Sequence, residues 1–361
     1  MDFLKNFQKD LEKIDGIGTS AEPPRYWYST GNLVLNHIIS GNFRHGIPQG
    51  RITNFSGPSG SGKSFNVANA AKAAQDEGAI CLILDSENAL DDEFMGKIGV
   101  DVDNNYYYVS VTTIAQVQSV VSAFLKAYKK DHAEDVKAPK IFIAIDSLDM
   151  LMTETELENY DKGIQKGDQG QRNKQLKAML RGFVHDISAL NVSMVVTSQV
   201  YKNQDVTNGE GVWMIADAVK YAASQIILVT KLKLKGDSGK AGDFKGIRMK
   251  CEGYKTRFTK PFQTVTIEVP YEAGIDAYSG LKEVGVNLGI IIPAGSRLRL
   301  ASKPDVTFFE KDIGQYADEI VDAANALTDK YLSTGTTDDE LDLTPDTKAE
   351  TRNRAIEKLT D

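Results

Sequence analysis

The run Gly57-Pro58-Ser59-Gly60-Ser61-Gly62-Lys63-Ser64 has the spacing G-x-x-x-x-G-K-[ST], with Phe65 directly after it. Glycines let successive backbone N–H groups curl around an anion where a Cβ would clash, and a helix N-terminus adds a favourable dipole. The lysine reaches β- and γ-phosphates, and the hydroxyl after it holds Mg²⁺. The flanks supply the setting this motif needs. Arg51–Ser56 is β-prone, and the stretch from Phe65 to Asp76 is alanine-rich and free of Gly and Pro, which predicts a helix. Strand, glycine turn and helix together predict a bound nucleoside triphosphate, with Lys63 on its phosphates and Ser64 on the metal.

Two carboxylate positions extend that chemistry. Asp146 ends the apolar run Ile141–Ile145, from which a carboxylate reaches the Mg²⁺ shell of a phosphate-loop enzyme; a turn or cap residue is the plainer reading. Asp85-Ser86-Glu87-Asn88 follows the apolar run Ile80–Leu84, and a carboxylate there can orient and deprotonate a water. Spacing leaves both Asp85 and Glu87 open for that role.

Gln199 closes the run Met194–Ser198, and the polar stretch from Tyr201 to Gly211 follows it. A similar stretch, Thr153 to Gly170, follows Asp146. Connections this long are usually functional or disordered. Between them Lys174, Lys177 and Arg181 recur at helical spacing, with Lys162, Lys166 and Lys202 in the two stretches. Such a face could follow a single-stranded phosphate backbone, or be a solvated basic helix face.

These residues need a scaffold. The apolar runs at 80–84, 141–145, 194–197 and 226–229 read as strands buried on both faces, with helical stretches at Ile114–Lys130 and Gln171–Ser188 between them. That pattern is α/β, a largely parallel sheet flanked by helices, with later strands at Ile247–Cys251 and Phe262–Val269 on its far edge. Phe3, Leu4, Phe7, Leu11 and Ile14 predict a short N-terminal amphipathic helix, suited to docking on a neighbouring protomer or packing on its own domain. The expected division is an oligomerisation segment at 1–28, an ATPase core at 29–278, a small C-terminal unit at 279–331 and an acidic tail at 332–361. The tail carries eight acids against four bases, half of the chain's net charge of −8, and reads as largely disordered with a short helix near its end.

With 361 residues, 41% hydrophobic and 25% charged, the chain has the composition of a soluble globular protein. Its acidic balance means that nucleic-acid contact must come from local basic patches. Cys81 and Cys251 stand far apart and read as reduced thiols, and the four histidines lack metal-ligand spacing. No run of about 18 apolar residues spans a membrane and the first residues are no signal peptide, so a cytoplasmic location is expected.

Beyond the phosphate loop, an ordered set of stretches resembles the RecA family of recombinases, and more closely the strand-exchange proteins of the T-even phage type. The set comprises Ser29-Thr30-Gly31-Asn32-Leu33, Leu35-Asn36, Gly46 to Ile52, Asp85 to Asp91, Gly99 to Asn104, Ile143–Leu148, Ser198-Gln199, Lys255 to Phe262 and Gly274-Ile275-Asp276 with Tyr278. The resemblance covers roughly 28–292. It implies a RecA-type ATPase core, and in it Glu87 rather than Asp85 activates water. Asp91 and Phe94 would flank adenine, Asp146 and Ser147 would form the Mg²⁺-side pair, and Gln199 would sense the γ-phosphate. Lys255 and Arg257, the latter an arginine where members often carry lysine, would reach the ATP of the adjacent protomer. Lys174 and Arg181 would fall on the DNA-facing helix. The segment Met214–Ala218 lacks the paired glycines the family carries there.

The expected protein is therefore an ATP- and Mg²⁺-dependent recombinase, forming filaments on single-stranded DNA and pairing it with a homologous duplex. Mediator and single-strand-binding proteins are expected partners, the host cytoplasm its place if phage-encoded. A hexameric helicase and a non-motor ATPase switch share the core and are the alternatives.

Overall fold

The computed structural model describes residues 2–11, 23–132, 135–164, 166, 170–202, 213–235, 244–271 and 274–334. Ile14, the segment 16–22, most of the polar stretch after Tyr201 and the acidic tail from 335 onward lie outside the described residues.

Helix α1 (Asp2–Leu11) turns Phe3, Leu4 and Phe7 to its exposed side. A two-residue ribbon, β1 (Trp27–Tyr28) with β2 (Ile47–Pro48), brackets α2 (Leu33–Ser40). Asn32 starts α2 as its N-cap, its side chain accepting from the Leu35 N–H, and Gly41 ends it in the left-handed conformation.

The alternating pattern then runs β3 (Ile52–Ser56), α3 (Lys63–Asp76), β4 (Ile80–Asp85), α4 (Asp92–Ile98), β5 (Tyr106–Ser110), α5 (Ile114–His132), β6 (Ile141–Asp146), α6 (Glu154–Asp161), α7 (Gln171–Ile187) and β7 (Val192–Ser198). After the small pair β8 (Tyr201–Lys202) and β9 (Trp213–Met214) come α8 (Asp217–Ala222), β10 (Gln225–Lys235), β11 (Phe244–Lys255) and β12 (Thr264–Pro270). Eight of these strands form one sheet in the order β12-β11-β10-β3-β7-β6-β4-β5. It is parallel from β10 to β5, and β11 and β12 add antiparallel at the far edge, as the late strand patterns require.

Continuous apolar runs form the middle strands because both sheet faces are covered. In β6, Phe142 and Ala144 enter the core under α2 and α3, while Ile141, Ile143 and Ile145 enter the core under α5 and α7. Strand β5 escaped the periodicity reading: Tyr107, Tyr108 and Ser110 are exposed along this sheet edge, so its sequence is aromatic and polar rather than a run of aliphatics.

The stretch after Asp146 also differs from the expected long loop. Thr153 accepts from the Glu156 N–H while Glu156 reaches back to the Thr153 N–H, and this reciprocal cap starts α6 inside it.

Beyond β12 a smaller unit holds α9 (Leu281–Asn287), the antiparallel sheet β13 (Ile291–Ala294), β14 (Arg297–Leu300) and β15 (Lys303–Phe308), and α10 (Ala317–Thr334). Its Leu281, Val284, Leu300, Ile320 and Val321 join the same buried cluster as α2 and α3, so the unit shares the core rather than building its own. No helix among the described residues is long and apolar enough to cross a membrane.

Candidate functional site

In a parallel sheet the C-terminal strand ends share one edge, and loops leaving that edge form the crevice where ligands bind. Strands β3, β4, β6 and β7 deliver the phosphate loop, Glu87, Asp146 and Gln199 to it.

The loop Gly57 to Gly62 is shaped so that only glycine fits at two places. A Cβ on Gly57 would collide with the Val229 carbonyl of β10, and Gly62 has φ +102° with Met249 Sδ where its Cβ would be. Pro58, Ser59, Gly60 and Ser61 form the crest between them, and Lys63 opens α3 behind Gly62 as N-cap. The Lys63 ammonium donates to its own loop's carbonyls, Gly57 O at 3.1 Å and Pro58 O at 3.0 Å. Burial lowers its pKa, and the carboxylates of Asp146, Glu87 and Asp149 oppose that shift. The Ser61 hydroxyl is buried and finds no partner among the described residues. A cradle closed to side chains, a cation and a spare hydroxyl suit a polyphosphate.

Asp146 is buried where β6 ends. Ser64 Oγ donates to its Oδ2 at 2.7 Å, and Thr197 Oγ1 donates to its Oδ1. Burial raises its pKa, and these two donors pull it back. Ser64 and Asp146 thus stand together at this edge, where their oxygens could hold a divalent cation. Among the described residues no group of three or more His, Cys, Asp or Glu side chains gathers to hold one. Phosphate and water oxygens would complete the shell, as hard Mg²⁺ prefers.

Asp85 and Glu87 occupy different surroundings. Asp85 is buried, its carboxylate accepting from the N–H groups of Glu87 at 2.8 Å and Leu90 at 2.9 Å, so it shapes the turn. Glu87 projects outward from that turn and accepts from Ser147 Oγ at 2.5 Å. Ser147 is itself seated by Ser86, whose Oγ accepts its N–H at 2.9 Å. Asp91 caps α4 by accepting from the Phe94 N–H, and Phe94 meets Phe65 edge-on at 5.3 Å between ring centres. The structure therefore gathers Phe65, Asp91 and Phe94 beside the helix that the phosphate loop starts.

Lys255 and Arg257 are not brought to this edge. Lys255 pairs with Ile226 at the N-terminal end of β10, and its ammonium donates to Lys220 O in the last turn of α8 and to Ala223 O at its C-cap. Arg257 is exposed just past the end of β11.

Helix α7 buries Leu176, Met179, Leu180 and Phe183 and leaves Lys174, Lys177 and Arg181 exposed on the other side. Lys177 lies over the Tyr221 ring of α8 at 4.3 Å, and together with Arg181, Val184, Ala218 and Ala222 they line a groove of about 230 Å³. Lys162 pairs with Glu158 of α6 instead. The Lys202 side chain lies outside what is described.

Sequence reasoning missed three features. Thr197, next to last in β7, and Asp149, in the turn after β6, are polar residues with no motif around them. The row Lys231, Lys233 and Lys235 continues β10 past the apolar run, and its alternation with Leu232 and Leu234 was a readable strand signal. Lys231 stands closest to the phosphate loop; a Cβ on Gly60 would lie 2.7 Å from its Nζ.

Comparison with known proteins adds the lineage of this arrangement. Residues 4–276 match the family described as the RecA N-terminal domain. The chain is 30% identical over 302 residues to Protein RecA of Aquifex aeolicus (strain VF5), covering 81% of this chain and 78% of that protein. It is 30% identical over 259 residues to Protein RecA of Aquifex pyrophilus, covering 70% and 68%. Against Protein RecA of Campylobacter hominis the identity is 26% over 348 residues, covering 92% and 89%.

Proposed function

The chain belongs to the RecA family, and we propose that it is an ATP-dependent DNA strand-exchange recombinase. In this reading it polymerises on single-stranded DNA, pairs that strand with a homologous duplex and hydrolyses ATP between protomers. One observation carries it: the phosphate loop, the Ser64–Asp146 pair, Glu87 and Gln199 leave one edge of one parallel sheet, beside a helix whose outer face is basic. We place it nearest the T-even phage type, on the stretches quoted above, which would put it in a host cytoplasm.

Lys63 would exchange its loop carbonyls for β- and γ-phosphate oxygens, and Ser64 and Asp146 would hold Mg²⁺. ATP supplies the phosphoanhydride bond to be cleaved and Mg²⁺ the charge that steadies its oxygens. Glu87, fixed by Ser147, would orient the attacking water, and Asp91, Phe94 and Phe65 would flank the base. Phosphoryl transfer is mainly positioning and electrostatics, so cations brought from a neighbour can switch it on. Lys255 and Arg257 suit that role, being too far round the sheet to serve their own phosphate loop. Lys174, Lys177 and Arg181 would follow the single strand, with Lys202 in the second loop, and the lysine row of β10 would offer the duplex a second basic surface.

The test is ATP hydrolysis with and without single-stranded DNA, in wild type and Lys255→Ala. Strong stimulation by DNA that the substitution abolishes supports a filament with sites completed in trans. Hydrolysis indifferent to DNA moves the assignment to a non-motor switch, and rings that unwind duplex at the expense of ATP move it to a helicase.

A further inference from the structure

Asp149 belongs to no motif, yet three segments of the site meet through it. Strand β7 ends at Ser198, whose carbonyl accepts from the Gly57 N–H at 3.1 Å. On its other side β6 pairs with β7 only as far as Ile145 and Val196. The Gln199 N–H has therefore run out of strand, and the carboxylate of Asp149 accepts it at 2.6 Å. The turn that presents Asp149, Leu148–Met150, is gripped by the first turn of α7. Arg172 Nε donates to Leu151 O at 2.8 Å, and its Nη2 donates to Leu148 O at 3.0 Å and to Asp149 O.

A planar guanidinium spanning three carbonyls fixes a turn far better than a single flexible donor, because its fork is preorganised. The chain Gln199 N–H, Asp149 carboxylate, turn carbonyls and Arg172 guanidinium thus runs from the end of β7 to the start of the helix that carries Lys174, Lys177 and Arg181. We propose that Asp149 is a positioning residue for Gln199, tying its peptide through Arg172 to the first turn of α7. A displacement of Gln199 when nucleotide binds is then passed to the basic face of α7, separately from any movement of the second loop. The proposal rests on the reading of Gln199 as the γ-phosphate sensor.

The experiment compares wild type, Asp149→Ala, Asp149→Asn, Arg172→Lys and Gln199→Ala as full-length chains. It reads the ratio of ATP hydrolysis with and without an oligothymidine strand, and KM for ATP. In Asp149→Ala the ratio should fall about tenfold with KM within about twofold, since the loss lies in coupling rather than in binding. Asp149→Asn, whose amide oxygen still accepts the Gln199 N–H, should recover most of the ratio. Arg172→Lys, which keeps the charge without the fork, should lower the ratio even if Asp149→Ala does not fold. A full ratio in Asp149→Ala or Arg172→Lys while Gln199→Ala has lost it overturns the proposal and leaves the sensor reading standing. Asparagine as damaging as alanine also overturns it. A full ratio in Gln199→Ala overturns the sensor reading and the proposal with it.

Discussion

The ammonium of Lys255 donates to the carbonyl oxygen of Ala223 at 2.8 Å and to that of Lys220 at 2.6 Å, closing the C-terminal end of α8. A cation on the last carbonyls of a helix stabilises it by about 0.3–1 kcal/mol. Burial, with the nearby Arg257 charge second, lowers the Lys255 pKa, and these carbonyls satisfy what water no longer reaches. To meet a neighbour's nucleotide, Lys255 would have to leave α8, the helix that follows the second loop. Lys255→Met should therefore cost about 0.5 kcal/mol in thermal unfolding of the free chain. Its loss of DNA-stimulated hydrolysis should be far larger; a stability loss that matched the activity loss would make the residue merely structural.

Thr197 orients Asp146 from the side opposite Ser64. Removing the partner that orients a metal-binding group commonly weakens metal affinity 10–100-fold, roughly. Thr197→Val should raise the Mg²⁺ concentration needed for half-maximal hydrolysis about tenfold, and Thr197→Ser should restore it. A Mg²⁺ titration of hydrolysis at fixed ATP reads this directly; an unchanged midpoint in the valine variant removes Thr197 from the site.

His37 is buried in α2 against Phe43, ring centres 4.4 Å apart, and neither of its ring nitrogens has a hydrogen-bond partner among the described residues. Burial pushes its pKa down from 6.5 to about 4. Between those values the unfolded chain holds the proton and the folded chain does not, so stability falls as pH drops from about 6.5 to about 4. The full contribution of this one group is about 3 kcal/mol. His37→Phe should flatten that part of the curve in urea titrations run across the same window. An equally steep acid limb in the variant assigns the effect elsewhere.

The tail 332–361 carries eight acidic and four basic residues, a net −4. A negative segment competes with DNA for basic surface, and the competition weakens as salt screens it. Deleting 335–361 should tighten binding to single-stranded DNA at moderate salt, measured by fluorescence anisotropy. Equal affinity with and without the tail removes this role.

The phosphate loop could be read from sequence because its demands are local: glycines where a Cβ would collide, a lysine and a hydroxyl at fixed offsets, and a helix beginning there. The buried strands were equally legible, since a run almost free of polar residues fits only between two covered faces. Asp85 and Glu87 show where local information ends. They are two residues apart with the same chemistry, and only the folded turn commits one to the N–H groups of Glu87 and Leu90 and sends the other toward Ser147. Thr197 on Asp146, Asp149 on Gln199 and Arg172 on three carbonyls join positions far apart in the chain, and no spacing rule connects them. The sequence by itself determined that a phosphate-loop turn sits on a parallel sheet, because backbone sterics and burial act over a few residues. Which side chains orient that site was decided by the assembled fold: β7 reaches both the phosphate-loop strand and the strand of Asp146 only once the sheet is formed, and Arg172 reaches the Asp149 turn only once α7 packs on it.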